Sequence, residues 1–258
     1  MNNILNDIVL NKQREVDLLK QNFVISEKIR ISKKSFKKSL LNDGLTIIAE
    51  IKRKSPTAGQ LSIIADPVEL ALNYTRGGAG AISVLTDERY FDGSIKDLNK
   101  VAAALQNTDT TILRKDFIID PLQITEAIFE GADAVLLIVA ILGNKLKTLL
   151  GCARKMNIDA LVEVHSIKEI NLALDAGAEI IGINNRDLKT FDVDINHSLQ
   201  LIKHIPKHIV RVSESGIDSQ EIALQLRRVG FDAALVGTAL VCAEKPAALI
   251  NLMRDQHA

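Results

Sequence analysis

Eight short apolar runs, each ending on polar or charged residues, follow one another in series along this 258-residue chain. They read Thr46-Ile-Ile-Ala-Glu-Ile-Lys-Arg, Ala81-Ile-Ser-Val-Leu-Thr-Asp, Thr111-Ile-Leu-Arg-Lys-Asp-Phe and Ala134-Val-Leu-Leu-Ile-Val. The second four are Ala160-Leu-Val-Glu-Val-His, Ile180-Ile-Gly-Ile-Asn-Asn-Arg-Asp, Ile209-Val-Arg-Val-Ser-Glu-Ser-Gly and Ala233-Ala-Leu-Val-Gly-Thr. Each has the length and β-branched content of a strand covered on both faces, as in a parallel sheet. The stretches between them have room for one amphipathic helix and two short loops. Eight β-then-α units in a row predict an α/β fold of the closed (β/α)8 type, the TIM barrel. In that architecture all C-terminal strand ends open on one mouth. Glu50, Lys52, Lys115, Glu163, Asn184, Glu214 and Thr238, scattered along the chain, are therefore expected to converge on one site, which points to an enzyme.

A second pattern supports the ring. Gly77-Gly-Ala-Gly-Ala-Ile, Gly131-Ala-Asp-Ala-Val, Gly177-Ala-Glu-Ile-Ile and Gly230-Phe-Asp-Ala-Ala precede the second, fourth, sixth and eighth runs, about 50 residues apart. Glycine just past a helix tolerates the left-handed conformation that ends it. A two-unit period implies a ring of quarters. A doubly wound open sheet also alternates β and α, but no Gly-x-Gly-x-x-Gly turn follows any run. Residues 1–44 lie outside the ring as a helical extension, and residues 45–258 form the barrel domain. Leu5, Ile8, Val9, Val16, Leu18 and Leu19 fall near helical spacing, with Glu15 and Lys20 as solvated faces. Between Glu27 and Leu40 lie Lys28, Arg30, Lys33, Lys34, Lys37 and Lys38. This segment reads either as a solvated helix face beside the barrel or as a cover near the mouth that attracts an anion.

Composition narrows the partners. Lys plus Arg and Asp plus Glu are 32 each, so no global field favours nucleic acid or an anionic membrane, and an anion site must be local. Only Phe36 interrupts the basic run, so stacking aromatics for nucleic acid are missing. Cys152 and Cys242 lie far apart without a partner motif. They are expected to be buried small apolar residues in a reducing cytoplasm, not a disulfide or redox pair. Asp7, Lys12 and Arg14 interrupt any signal-like opening, and no uncharged run approaches the roughly 18 residues of a membrane span. A soluble cytosolic protein without membrane or nucleic-acid partner is expected.

The strand ends carry the chemistry. Ser213-Glu-Ser-Gly216 follows the seventh run and Gly237-Thr238 the eighth. Ser215, Gly216, Gly237 and Thr238 can expose backbone N–H groups at a place where barrels commonly hold phosphate. Arg186, after the sixth run, can add a charged fork. Glu50 and Lys52 alternate along the first run, so both point into the mouth. With Lys115, Glu163 and Glu214 they bring two lysines and three glutamates to one cavity, where opposite charges tune one another for acid and base duty. Lys52 and Lys115 could each be nucleophile or acid. Phe91 and Phe117 add apolar walls for an aromatic or apolar ligand part. The five histidines show no ligand spacing, so no metal site is expected.

Ile48-Ala-Glu-Ile-Lys-Arg-Lys-Ser-Pro56, Ser83-Val-Leu-Thr-Asp-Glu-Arg-Tyr-Phe-Asp-Gly-Ser94, Leu113-Arg-Lys-Asp-Phe117, Asn184-Asn-Arg-Asp-Leu188 and Ser213-Glu-Ser-Gly216 closely resemble indole-3-glycerol phosphate synthases. The likeness runs in order over residues 45–250, and the first and third motifs are the most specific. Thr57-Ala58 stands where the family often has Ser-Lys, and Thr238 where Ser is common. The resemblance implies an N-terminal extension beside the mouth and a cofactor-free carboxy-lyase of tryptophan biosynthesis. Its substrate is a phosphorylated small molecule, 1-(2-carboxyphenylamino)-1-deoxyribulose 5-phosphate, closed to indole-3-glycerol phosphate with loss of carbon dioxide and water. It further implies Ser55, Arg186, Ser215, Gly216, Gly237 and Thr238 at the phosphate, and Phe91 and Phe117 at the anilino ring. Lys115 would be the general acid for ring closure, and Glu163 and Lys52 the pair for loss of the hydroxyl. Glu50, Asn184 and Glu214 would orient lysines and sugar hydroxyls. A monomer is expected. A phosphoribosyl isomerase on the same barrel and a silent phosphosugar-binding protein are the rival readings.

Overall fold

The computed structural model describes residues 4–23, 34–55, 59–60, 64, 66–188 and 190–254, with the Ser55 side chain left out. Eight parallel strands close a barrel: β1 Thr46–Ile51, β2 Ala81–Leu85, β3 Thr111–Lys115, β4 Ala134–Ile138, β5 Asp159–Val164, β6 Ile180–Asn184, β7 Val210–Glu214 and β8 Ala233–Val236. Consecutive strands are neighbours, and β8 returns to β1 with Thr46 opposite Ala233. α1 (Ile4–Asn22) and α2 (Phe36–Ser39) precede the barrel. Outside it lie α3 (Pro67–Arg76), α4 (Ile95–Ala104), α5 (Pro121–Phe129), α6 (Leu146–Lys155), α7 (Ile167–Asp175), α8 (Asn196–Leu201), α9 (Gln220–Val229) and α10 (Pro246–Arg254).

The strands are buried on both faces because their residues alternate between two cores. Ile47, Ala49 and Ile51 of β1 pack outward with α3 residues Ala71 and Tyr74. Ile48 points inward with Leu113, Leu136, Leu161, Val212 and Leu235. Helix starts are set by side-chain caps. Asp66, Ser94, Asp120, Ser166 and Ser219 each accept a hydrogen bond from the first turn of the helix that follows, and Asp120 with Gln123 completes a capping box. Gly78, Gly131, Gly177 and Gly230, at the repeated junctions, all adopt positive φ.

The described part of the basic segment does not cover the mouth. Phe36 and Leu40 are fully buried and plug the opposite, N-terminal end of the barrel. There Lys34 Nζ donates to the Leu105 and Thr110 carbonyls, the Lys37 amide to Asp159, and Lys37 Nζ pairs with Glu179. Lys38 is exposed at the same end, whereas Lys28, Arg30 and Lys33 lie outside the described residues. Packing decided this: a short helix led by Phe36 fills the tapered floor that small residues such as Ala81, Ala134 and Ala233 leave. The cysteines also differ from expectation. Both are free, Cys152 is half-buried and Cys242 is exposed, because the latter ends the short helix Thr238–Cys242 at the rim of the mouth. No described helix is long and apolar enough to cross a membrane.

Candidate active site

The C-terminal strand ends surround a cavity of about 460 Å³. Glu50, Lys52, Lys115, Glu163, Asn184, Arg186, Glu214, Ser215, Gly216, Gly237 and Thr238 all line it, with Phe91 and Phe117 on one wall. Inward phase explains the set. Glu50 on β1, Lys115 on β3, Glu163 on β5, Asn184 on β6 and Glu214 on β7 occupy the last inward positions of their strands, and Lys52 follows two residues after Glu50. Two missing side chains make room for them. A Cβ on Gly182 would collide with Glu214 Oε1, and one on Gly237 would collide with Glu50 Oε1 and come within 3.0 Å of Lys52 Nζ. Gly237 thus shapes the charged floor in addition to opening backbone N–H groups.

The charges form two groups. Lys52 Nζ stands 2.7 Å from Glu50 Oε1. Lys115 Nζ lies 3.6 Å from Glu214 Oε2 and 3.8 Å from Glu163 Oε2. Burial alone would release the Lys115 proton, but the Glu214, Glu163 and Glu50 carboxylates outweigh it and hold the ammonium well above its ordinary pKa. Glu214 moves the other way. Its oxygens are buried without a hydrogen-bond partner. Burial first, and the nearby Glu163 carboxylate second, push it up to about 8 against the pull of Lys115. Glu50 stays below its usual range, because Lys52, Lys115 and Arg186 overcome its burial. Among the described residues, then, burial and neighbouring charge move the Glu50 and Glu214 carboxyls in opposite directions on one floor.

The side of the cavity formed by the loops after β6, β7 and β8 is built by backbone and by Asn184. Asn184 Oδ1 accepts from the Arg186 amide at 3.0 Å and from Ser215 Oγ at 2.9 Å, tying the β6 loop to the β7 loop. Ser215 and Gly216 are both left-handed, at φ 69° and 78°. The helix Thr238–Cys242 starts at the rim, and the first N–H groups of a helix lack intrahelical acceptors. The Arg186 guanidinium donates to the Phe191 carbonyl at 2.9 Å, so its loop folds back on itself. Ser55 lies in a two-residue ribbon with Gly59, its side chain outside the described residues along with Thr57 and Ala58. The Phe91 and Phe117 rings are 6.0 Å apart and inclined at 40°.

Several lining residues escaped the sequence reading. Ile4, Leu5 and Ile8 of α1, and Leu188, Phe191 and Val193 of the β6 loop, close the cavity from above. Periodicity marked Leu5 and Ile8 as an apolar stripe without saying what it faces. His165 follows Glu163 by two residues and so shares its inward phase, a signal that was present. Lys12 sits between Ile8 and Val16 on the buried stripe of α1, where a lysine signals a buried partner. Among the described residues, no group of three or more His, Cys, Asp or Glu stands within reach of one metal ion.

Comparison with known proteins agrees with this geometry. The family model for indole-3-glycerol phosphate synthase matches residues 5–253. An indole-3-glycerol phosphate synthase of Thermoanaerobacter pseudethanolicus is 44% identical over 238 residues, covering 91% of this chain and 90% of its own. That of Caldanaerobacter subterraneus subsp. tengcongensis is 46% identical over 237 residues, covering 91% of each. Among solved structures, 3-hexulose-6-phosphate synthase from Salmonella typhimurium shares the barrel at a TM-score of 0.65 and 14% identity, over 81% of this chain and 97% of its own. The chain belongs to the indole-3-glycerol phosphate synthase family.

Proposed function

We propose that this chain closes the ring of 1-(2-carboxyphenylamino)-1-deoxyribulose 5-phosphate to indole-3-glycerol phosphate, with loss of carbon dioxide and water. Family membership supports the reaction. The observation that carries the assignment of roles is Lys115, a half-buried ammonium held between Glu163 and Glu214 in the cavity that Phe91 and Phe117 also line. Lys115 protonates the ribulose carbonyl oxygen as the ring carbon attacks. Carbon dioxide then leaves, with the anilino nitrogen as electron sink, and aromatic character returns. Glu163 takes the proton from carbon and Lys52 delivers one to the departing hydroxyl. Glu50 orients Lys52, while Asn184 and Glu214 hold sugar hydroxyls and Lys115. Arg186, Ser215, Gly216, Gly237 and Thr238, with Ser55, bind the phosphate, and Phe91 and Phe117 flank the anilino ring.

The same reading takes the extension (residues 1–44) and the barrel (residues 45–258) as its two parts and a phosphorylated small molecule as its partner. It has the chain working as a cytoplasmic monomer without nucleic acid. Support for the absence of nucleic acid comes from the balance of 32 basic against 32 acidic residues. The test is incubation of purified protein with the carboxyphenylamino substrate. Indole absorbance rising without added cofactor is the expected outcome. Isomerisation without carbon dioxide release would favour the phosphoribosyl isomerase, and binding without conversion a silent carrier.

A further inference from the structure

Ring closure as read above consumes one solvent proton per turnover. The ribulose oxygen leaves as water and receives two protons, one is recovered from carbon, and the ionised carboxylate departs as carbon dioxide. The donors, Lys115 and Lys52, have side chains 17% and 15% exposed on a floor whose Glu163 and Glu214 carboxylates are 3% and 1% exposed. They must be recharged from outside.

His165 lies between Glu163 on this floor and a second cavity. Its Nε2 lies 3.5 Å from Glu163 Oε1, and its Nδ1 lies 3.5 Å from Glu169 Oε2 on α7. Neither ring nitrogen makes a direct hydrogen bond, although both are buried. The backbone around the ring is held firmly: the His165 amide donates to Glu169 Oε2 at 2.7 Å, and its carbonyl meets His197 Nε2 of α8 at 2.9 Å. Side-chain exposure rises from 3% at Glu163 to 13% at His165 and 21% at Glu169. His165 and Glu169 line a second cavity of about 510 Å³, which shares Leu5, Asn184, Arg186 and Leu188 with the first. The phosphate and the ring leave these two residues no role.

We propose that His165 relays protons from the second cavity to the lysine–carboxylate floor, with Glu169, 3.5 Å from its Nδ1, as the positioning residue; this rests on the ring-closure reading. Burial opposes the charged ring, but Glu169, Glu163 and Glu214 outweigh it, so its pKa lies above the ordinary histidine value. His197 meets the His165 carbonyl, and Asp187, Asp192 and Asp194 line the same second cavity. Once Lys115 has given its proton away, the His165 Nε2–H bond breaks and an O–H bond forms on Glu163. Glu163 then passes a proton to the neutral Lys115 amine, restoring the ammonium. The neutral imidazole takes a proton from solvent in the second cavity. The proton that Glu163 later takes from carbon is returned to Lys52, so one solvent proton enters per turnover and every protein group regains its starting form.

A relay that only recharges the site is dispensable for the first turnover, whereas a structural residue is needed in every one. Single-turnover and steady-state rates of His165→Ala therefore separate the two. The single-turnover rate and KM should stay within about twofold of wild type, while steady-state kcat falls by about tenfold or more and imidazole buffer restores it saturably. Wild type should not respond to imidazole. Glu169→Gln should lose less, and as pH is raised its activity should begin to fall at a lower pH than that of wild type, because His165 loses its proton earlier. Unchanged steady-state kcat overturns the relay, as does an equal fall of both rates with no imidazole response. If circular dichroism shows His165→Ala unfolded, His165→Gln is compared in the same way, and the split between the two rates decides. An inactive wild type overturns the ring-closure reading as well, whereas an active wild type with no split overturns the relay alone.

Discussion

Lys12 on α1 and Asp116, the residue after Lys115, form an ion pair of 2.8 Å that is closed to solvent on both sides. Lys12 Nζ also meets Asp87 Oδ2 at 3.0 Å and Glu15 Oε2 at 2.6 Å. Asp116 in turn accepts from Thr86 Oγ1 at 2.6 Å and pairs with Arg114 at 3.0 Å. Successive residues of one motif thus face opposite ways: Lys115 turns into the cavity, and Asp116 fastens the helix that roofs it.

Lys12→Met should destabilise the fold by about 3–5 kcal/mol, since it leaves Asp87 buried without its cation and Asp116 with Arg114 alone. Burial alone would raise the Asp116 pKa, but Lys12 and Arg114 outweigh it and hold it well below the usual range. A depressed carboxylate contributes fully above its unfolded pKa near 4 and loses its contribution as pH falls. Denaturant titrations should therefore show the gap between variant and wild type narrowing below about pH 4. A gap under about 1 kcal/mol at neutral pH would mean that α1 is held by its apolar stripe alone.

Lys115→Met should lower kcat by about 10²–10⁴-fold, the range of a lost general acid, while product still binds in calorimetry. Wild-type kcat with a raised KM would make Lys115 a ground-state binding group.

Glu214→Gln tests the raised carboxyl. A group whose folded pKa lies above its unfolded value stabilises fully below the latter and loses that contribution as pH rises through the former. For Glu214 the window runs from about 4, the ordinary carboxylate value, to about 8. Wild-type stability should decline across that window more steeply than that of Glu214→Gln, which has no proton to lose. Parallel curves in thermal melts at several pH values would show that Glu214 titrates normally.

Gly237→Asp should impair both binding and chemistry. The added charge beside a phosphate costs roughly 1 kcal/mol in water and roughly 4 at an effective dielectric of 20 for a separation of about 4 Å. Phosphate repulsion alone predicts a raised KM with kcat nearly kept, the pattern of uniform binding. The Cβ, however, also collides with Glu50 Oε1 and crowds Lys52, so kcat should fall as well. Gly237→Ala separates the two effects: it carries no charge and should lower kcat while weakening product binding much less. Unchanged kcat in Gly237→Ala would mean that the Glu50–Lys52 pair is free to shift.

The linear chain determined the barrel and most of its mouth by itself. Strand length, β-branched content and the recurring glycine junctions are local properties, and a period of two assigns each strand residue to the inner or outer face without knowledge of its partners. Glu50, Lys115, Glu163, Asn184 and Glu214 were legible for that reason, and His165 was legible by the same rule. Tertiary structure decided what each residue meets. Lys12 beside Asp116, the Lys34–Leu40 stretch at the barrel floor and Cys242 exposed at the rim depend on groups far apart in sequence brought together by closure. Ionic and packing energies depend on separation in space and on burial, and no local pattern encodes either.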